Sequence, residues 1–488
     1  MFASDFLRPA RVVALTVAAV AVVAVGGLSA AGLRVTCDGP CPVAPVAEDG
    51  SVVGDRFWFL HQELGTGGTI TARMTSMTGT ITYPPPDHDE IVPGLVPWAK
   101  SGVIVKDGTR QGSRYAALAM TGRHGVHFQH GYRHDDAGRP GGVSADSPRW
   151  LRLTRSGDTV TGAESADGVQ WHTVGTARLA GLPDTVRVGL FATSPCDLTL
   201  RETALGGNTQ ACRFTQAVGV FDSVTVEGGD GEWVSEPVGQ MNQTDWEKLS
   251  NPSGVVQNGS VIRISGTGDI SPAREEFAWT TDQSLAGFLA ALVIVLVVAA
   301  RYGASTGMHR RRVTTVGAAA FAVGLVAAGA VVPIGAAIAR SKNMPVQALT
   351  LPTGLRVVVG LAVALALSAM LAYGLGALTR RRWAGSSLAV ALVAVPFAVS
   401  VIPLLPDTVA EWLLRVTPAA AFAVKQTAVE YPQITSYYSP STGYFPLPWW
   451  AGLTVLAAYT AVILWLASRR RSAHPARVAE QSSTGVLL

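Results

Sequence analysis

Charge is scarce in this chain. Only 15% of its 488 residues are Asp, Glu, Lys or Arg, against 48% apolar, and mean hydropathy is positive at +0.29. The apolar residues stand in blocks nearly free of ionisable side chains, which disfavours a dedicated ion pathway and reads as a membrane protein with a soluble insert. The phosphate-cradling sequence GxxxxGK followed by Ser or Thr is absent, so the chain is not expected to hydrolyse ATP itself, and no cofactor is implied. Cysteine is rare too. The four, Cys37, Cys41, Cys196 and Cys212, all fall between the first and second apolar blocks, which points to one oxidising compartment. Sequence-local pairing, Cys37 with Cys41 and Cys196 with Cys212, is the preferred arrangement; CDGPC lacks the two-residue spacing of a zinc knuckle.

What charge there is has a pattern. The runs Arg310-Arg311-Arg312, Arg380-Arg381-Arg382 and Arg469-Arg470-Arg471 each stand beside an apolar block. Basic caps of this kind orient membrane spans, so a lipid membrane and not nucleic acid is the expected partner. Residues 12–33 form a first span, preferred over a cleaved signal segment because the run is long enough to cross a hydrocarbon core of ~30 Å. Blocks near 285–300, 313–339, 355–378, 386–405 and 449–467 bring the total to about six. Arginine-rich flanks alternate with poorly basic connections. The expectation is therefore a multi-pass protein of the cell membrane, with residues 1–11 and 469–488 cytoplasmic and the large insert outside.

That insert is rich in Gly, Thr, Ser and Asp and reads as short alternating strands. In PRWLRLTRSGDTVTGAESADGVQW, Trp150, Leu151 and Leu153 begin a strand, Gly157-Asp158 reverse it, and Asp167-Gly168 turn again before Trp171. The fold class is thus mixed: about six transmembrane α-helices with an extracellular antiparallel β-sandwich, residues 49–228, between helices 1 and 2. Residues 229–281 read as a β-rich stalk or a sandwich extension, and residues 282–468 as a bundle of about five helices with an outer amphipathic helix near 409–429.

Two resemblances follow from particular stretches. SGVIVKDGTRQGSRYAALAM, WLRLTRSGDTVTGAESADGVQWHTVG and VRVGLFATS, over about 55–227, resemble the laminin-G and concanavalin-A-like β-sandwich superfamily. FLAALVIVLVVAARYGASTGMHRRR, YGLGALTRRRWAG, LLPDTVAEWLLRVTPAAAFAVKQT and YFPLPWWAGLTVLAAY, over roughly 280–470, resemble the permease subunits of type-2 ATP-binding-cassette (ABC) exporters. That second resemblance implies a cytoplasmic ABC ATPase subunit as partner and a homodimer, or a heterodimer with a second permease. It implies export of an amphipathic or lipid-like substrate. It also makes Tyr302, Thr306, Gly307, Met308, Arg310, Arg311 and Arg312 the candidate ATPase-facing loop. The chain departs from the pattern at Arg301, where relatives usually carry an acidic residue, and in the short connection before Val313.

Other candidates are less specific. Trp150 and Trp171 are candidate ligand contacts of the sandwich, since an indole face can stack a sugar, although core packing is the commoner role. His124, His127, His130 and His134 lie near Asp135 and Asp136, but strand parity separates His127 from His124 and His130, and no metal is assigned. The alternative to transport is a membrane-anchored binding protein whose sandwich holds an extracellular glycan or protein.

Overall fold

A computed structural model describes residues 6–32, 45–82, 90–229, 231–242, 247–248, 252–272 and 279–472. Cys37 and Cys41 lie outside the described residues. In chain order one long helix, α1 (Pro9–Ala31), precedes every strand, and the remaining long helices follow the last one.

Among the described residues the strands form a two-stranded antiparallel sheet, β1 (Val53–Asp55) with β18 (Ile270–Pro272), and two large packed antiparallel sheets. One runs β15 (Val234–Val238), β2 (Phe57–Leu64), β12 (Val186–Thr193), β5 (Lys100–Lys106), β6 (Tyr115–Thr121), β7 (Val126–His130), β8 (His134–Ala137). The other runs β11 (His172–Arg178), β10 (Thr159–Ser165), β9 (Arg149–Ser156), β3 (Gly67–Thr82), β14 (Asn208–Glu227), β17 (Val261–Gly266), β16 (Gly254–Asn258). Strand alternation explains the layering. Leu151 and Leu153 of β9 face inward and are buried, whereas Trp150 and Arg152 face the other way and are half-buried. The inward residues of both sheets, among them Val103, Leu118, Phe128, Val160, Phe221 and Ile264, make one continuous core.

The β9–β10 hairpin pairs Ser156 with Thr159, so its reversal is as tight as the Gly157-Asp158 pair predicts, with Gly157 at φ 58°. The next turn is held by Asp167, whose Oδ1 accepts the Val169 and Gln170 amides at 2.9 and 2.8 Å. The described residues of 229–281 supply β15 to one sheet and β16 and β17 to the other; Ile262 and Ile264 are buried in the core between the sheets, and Val238 is buried in a separate apolar cluster.

A second apolar cluster covers the outer face of the first sheet, around Phe57, Phe59, Ile104, Tyr115 and Phe191. Inside it Lys106 Nζ lies 2.7 Å from Asp55 Oδ2, and the Tyr132 hydroxyl donates to the same oxygen at 2.8 Å. Burial pulls the Lys106 ammonium down and Asp55 opposes it, while burial pushes the Tyr132 phenol far up.

Among the described residues six helices are long and apolar enough to cross a membrane: α1, α2 (Phe288–Thr306), α3 (Arg310–Ser341), α4 (Leu351–Thr379), α5 (Arg382–Val401) and the last, α7 (Trp449–Ser472). A shorter α6 (Asp407–Val416) lies between α5 and α7. Five residues of α5, Val390–Ala394, widen into a π turn. The bundle is built on small residues that let backbones touch. Gly303 sits against the Tyr373 carbonyl and Gly376 against that of Ala300, which fixes the α2–α4 crossing, while Gly26 of α1 sits against Ser284 and Val331. Helix α1 is therefore a member of the bundle despite its distance in sequence.

Replacing Gly376 by Leu forces the α2–α4 crossing apart and is expected to cost about 1–3 kcal/mol or more, as core overpacking does. Gly354→Leu, where nothing lies within 4 Å of the added carbon, serves as the control. Thermal melts in detergent should separate the two variants; equal melting temperatures would contradict the crossing.

Candidate functional site

The connection between α5 and α7 is where the bundle departs from simple spans. Helix α6 ends at Thr417, and Pro418, which has no N–H to continue the ladder, opens a 3-10 segment, Pro418–Lys425. The single amphipathic helix expected near 409–429 is thus two elements. All eight residues of the 3-10 segment are buried. Two glycines make room for it: Gly452 of α7 abuts the Ala420 carbonyl and Gly360 of α4 abuts the Val424 side chain. Phe422 anchors the segment between Phe288 and Phe397, with ring centroids 5.6 and 4.6 Å away.

The segment delivers a cation into this apolar setting. Lys425 is buried, its Nζ 2.7 Å from Asp282 Oδ1 in a contact without hydrogen-bond alignment, and 4.9 and 5.7 Å from the ring centroids of Phe397 and Phe445. Asp282 is placed by a short helical turn, Thr281–Ser284, whose start is fixed by reciprocal bonds between Thr280 and Gln283. Next to Lys425 the Gln426 carbonyl accepts from Arg356, and the Gln426 side chain accepts the Phe445 amide at 2.9 Å. Sequence reasoning did not single out Lys425 or Asp282; the proline followed by an alanine run was the visible signal of a break.

The sandwich meets this same connection. Strands β13 (Asp197–Glu202) and β14 form a hairpin closed near its base by the Cys196–Cys212 disulfide, the expected pairing. At its tip Thr203 Oγ1 donates to the Pro403 carbonyl at 3.1 Å, and Asn208 Nδ2 donates to Asp407 Oδ2 at 3.0 Å. The other oxygen of Asp407 accepts from the Tyr437 hydroxyl at 2.5 Å. Gly207 packs on the Pro403 backbone with no room for a side chain. A second contact runs from Gln433 Nε2 to the Arg133 carbonyl at 2.9 Å. Between the two lies a cavity of about 260 Å³ whose walls include Ile81, Leu95, Pro97, Arg123, Leu198 and Thr435.

The arginine runs gather at the opposite end of the bundle. Tyr302 does not face outward there: it is buried, with Phe6 at 5.0 Å and the Arg11 guanidinium 4.5 Å from its ring centre. Thr306 donates to the Tyr302 carbonyl at 2.8 Å, and the Gly307 carbonyl accepts from Tyr373 at 2.6 Å. Gly307 takes positive φ to end α2, and Met308 and His309 complete the turn, both half-buried. Arg312 folds back to the Thr306 carbonyl at 3.2 Å, which leaves Arg310 and Arg311 as the exposed members of the candidate loop.

The sandwich candidates are already partnered. The Arg152 guanidinium stacks 3.6 Å from the Trp171 ring centre, and the Gly168 turn packs on Trp150. His124 lies in the turn before β7, not on the strand, so strand parity does not govern it; its ring stacks on Trp98 at 4.2 Å. His127 Nδ1 is 2.9 Å from Asp135, which also accepts from Gln129 at 2.7 Å. Burial pushes the Asp135 carboxyl up, but the bonds from His127 and Gln129 outweigh it and hold it low. Burial likewise holds His61 below the usual imidazole range although Glu236 lies 3.0 Å away.

A hydrogen bond to a charged group contributes roughly 1.5–3 kcal/mol. Asn208→Ala and Tyr437→Phe should therefore each accelerate amide exchange across residues 402–410 by about tenfold, read by mass spectrometry. Unchanged exchange there in both variants would remove Asp407 as the joint between sandwich and bundle.

No family model and no curated protein matches the chain. Among solved structures, a functionally unknown protein from Saccharomyces cerevisiae is 16% identical with a TM-score of 0.21, covering 39% of this chain and 95% of its own. Scytalido-glutamic peptidase, solved with a transition-state analog inhibitor, is 12% identical with a TM-score of 0.27, covering 44% of this chain and 98% of its own. The GH43 protein BlXynB from Bacillus licheniformis, solved as a mutant, is 13% identical with a TM-score of 0.18, covering 26% of this chain and 24% of its own.

Proposed function

We propose that the chain is the membrane-spanning permease subunit of an ABC exporter that moves an amphipathic or lipid-like substrate, driven by a separate cytoplasmic ATPase subunit. The observation that supports transport best is the buried 3-10 segment Pro418–Lys425. An anchor for an outer domain needs one plain span. Backbone that leaves α geometry is tolerated at membrane depth only where protein or a lined cavity surrounds it, and transporters place their sites at such breaks. The π turn in α5 is a second break of the same kind.

In this reading the arginine-rich end is cytoplasmic and the sandwich is extracellular, held in the long connection after α1. Exposed Arg310 and Arg311 receive the ATPase, while Tyr302 positions the loop from inside through Tyr373 and Gly307. The substrate's apolar part suits a bundle lined by Ala, Val and Leu. The permease pairs with itself or with a second permease.

One observation favours the rival reading, a membrane-anchored binding protein whose sandwich holds a glycan or protein. Only residues 307–309 separate α2 from α3, a turn too short to hold a coupling helix. The two readings part on purification of the C-terminally tagged protein in mild detergent. Transport predicts a stoichiometric nucleotide-binding subunit and ATPase activity that falls at least tenfold in the triple variant Arg310→Ala, Arg311→Ala, Arg312→Ala. Extracellular partners without such a subunit would instead establish the rival.

A further inference from the structure

The tip of the β13–β14 hairpin reads Thr203-Ala204-Leu205-Gly206-Gly207 and bears no charge. Leu205 is 63% exposed and Leu200, on the strand leading to it, 49%. Apolar side chains at the tip of a soluble hairpin are unusual, since reversals facing water are normally polar. Yet the tip is not loose. Gly206 and Gly207 pack against Pro406 and Pro403, and the hydrogen bonds of Thr203 and Asn208 lock it beside the start of α6.

Helix α6 is three-sided. Ala410 and Leu414 turn to the bundle and are buried, Glu411 and Arg415 pair at 2.9 Å on a second side, and Val409, Trp412 and Val416 share a third. That third side is apolar but exposed, Trp412 at 60% and Val416 at 50%. Ile402 and Leu404, which link α5 to α6, are exposed as well. A stripe of this kind beginning where a spanning helix ends has the composition of a helix resting in the headgroup boundary, with tryptophan at the level where indoles concentrate.

We propose that the hairpin tip is a bilayer foot: Leu205, with Leu200 behind it, enters the same lipid boundary as the apolar stripe of α6, so that the sandwich stands on the membrane at a fixed height. The partner is the lipid surface itself. Continuity is the ground for the assignment, because the tip is locked onto the residues between the end of α5 and the start of α6 and continues their exposed apolar surface. The inference rests on the bundle spanning a bilayer and holds whether or not the chain transports.

Photocrosslinking tests it. The full chain is reconstituted in vesicles of phosphatidylcholine and phosphatidylglycerol with p-benzoylphenylalanine in place of Leu205, of Trp412 or of Val169. Val169, 79% exposed in the turn between β10 and β11, reports a surface on the opposite edge of its sheet. After irradiation, intact-mass spectrometry should find lipid adducts at 205 and 412 in comparable yield, at least tenfold above 169. A yield at 205 no higher than at 169 overturns the foot. If 412 reacts while 205 does not, the bundle is in the bilayer and the foot alone fails; absence of an ATPase partner leaves the result unaffected.

Discussion

Backbone removed from water has to satisfy its own hydrogen bonds, and the connection between α5 and α7 meets that demand by folding a 3-10 segment into the bundle. The Ala420 amide reaches the Thr417 carbonyl at 3.0 Å and the Gln426 amide reaches that of Ala423 at 3.2 Å, so the segment is closed at both ends. Everything around it follows from the fit. Gly360 of α4 leaves room for the Val424 side chain, Gly452 of α7 lets that helix approach the Ala420 carbonyl, and Phe422 fills the gap beside α2 and α5. Lys425, at the end of the segment, is then stranded among phenylalanines, and Asp282 answers it from the turn before α2. One local break in helix geometry thereby ties together four helices and a charge pair whose lysine is buried and whose aspartate is half-exposed.

The sandwich is not a passenger on this arrangement. Asp407, at the start of α6, accepts from Asn208 of the hairpin and from Tyr437 of the following connection, so three parts of the chain meet on one carboxylate. An anionic side chain in the first turn also suits the helix dipole, which gives the same residue a local and a long-range role. The Cys196–Cys212 disulfide cross-links the two strands of the hairpin near its base. The start of α6 and the sandwich are joined through these few atoms.

Much of the fold was legible in the sequence. Block hydropathy located the long helices to within a few residues, and Gly157-Asp158 and Asp167-Gly168 marked turns that the sheets contain, because a tight reversal needs the φ values only certain residues adopt. Parity along β9 gave the buried leucines. What sequence could not give was tertiary: the described residues of 229–281 add strands to both sheets, and their few apolar side chains enter two clusters built mainly by other strands. Period alone joined α6 to the 3-10 segment, although Pro418, with no N–H to continue the ladder, stands at the break between them. The candidate site was legible in part. Arg310 and Arg311 are exposed and Tyr302 is buried, while Trp171 and Trp150, candidate ligand contacts for which core packing is the commoner role, pack on Arg152 and on the Gly168 turn. Lys425 and Asp282 are far apart in sequence, and nothing in either neighbourhood announces the other.

The burial of Pro418–Lys425 inside the bundle is the point on which the transport reading stands, and cysteine accessibility measures it directly. In membranes carrying Ala421→Cys, a water-soluble maleimide should label position 421 at least tenfold more slowly than position 429 in Val429→Cys, since Ala421 is fully buried and Val429 is 56% exposed. The wild-type chain sets the background from native cysteines. Equal labelling at 421 and 429 would place the segment at the surface, and the transport reading would lose the observation it stands on.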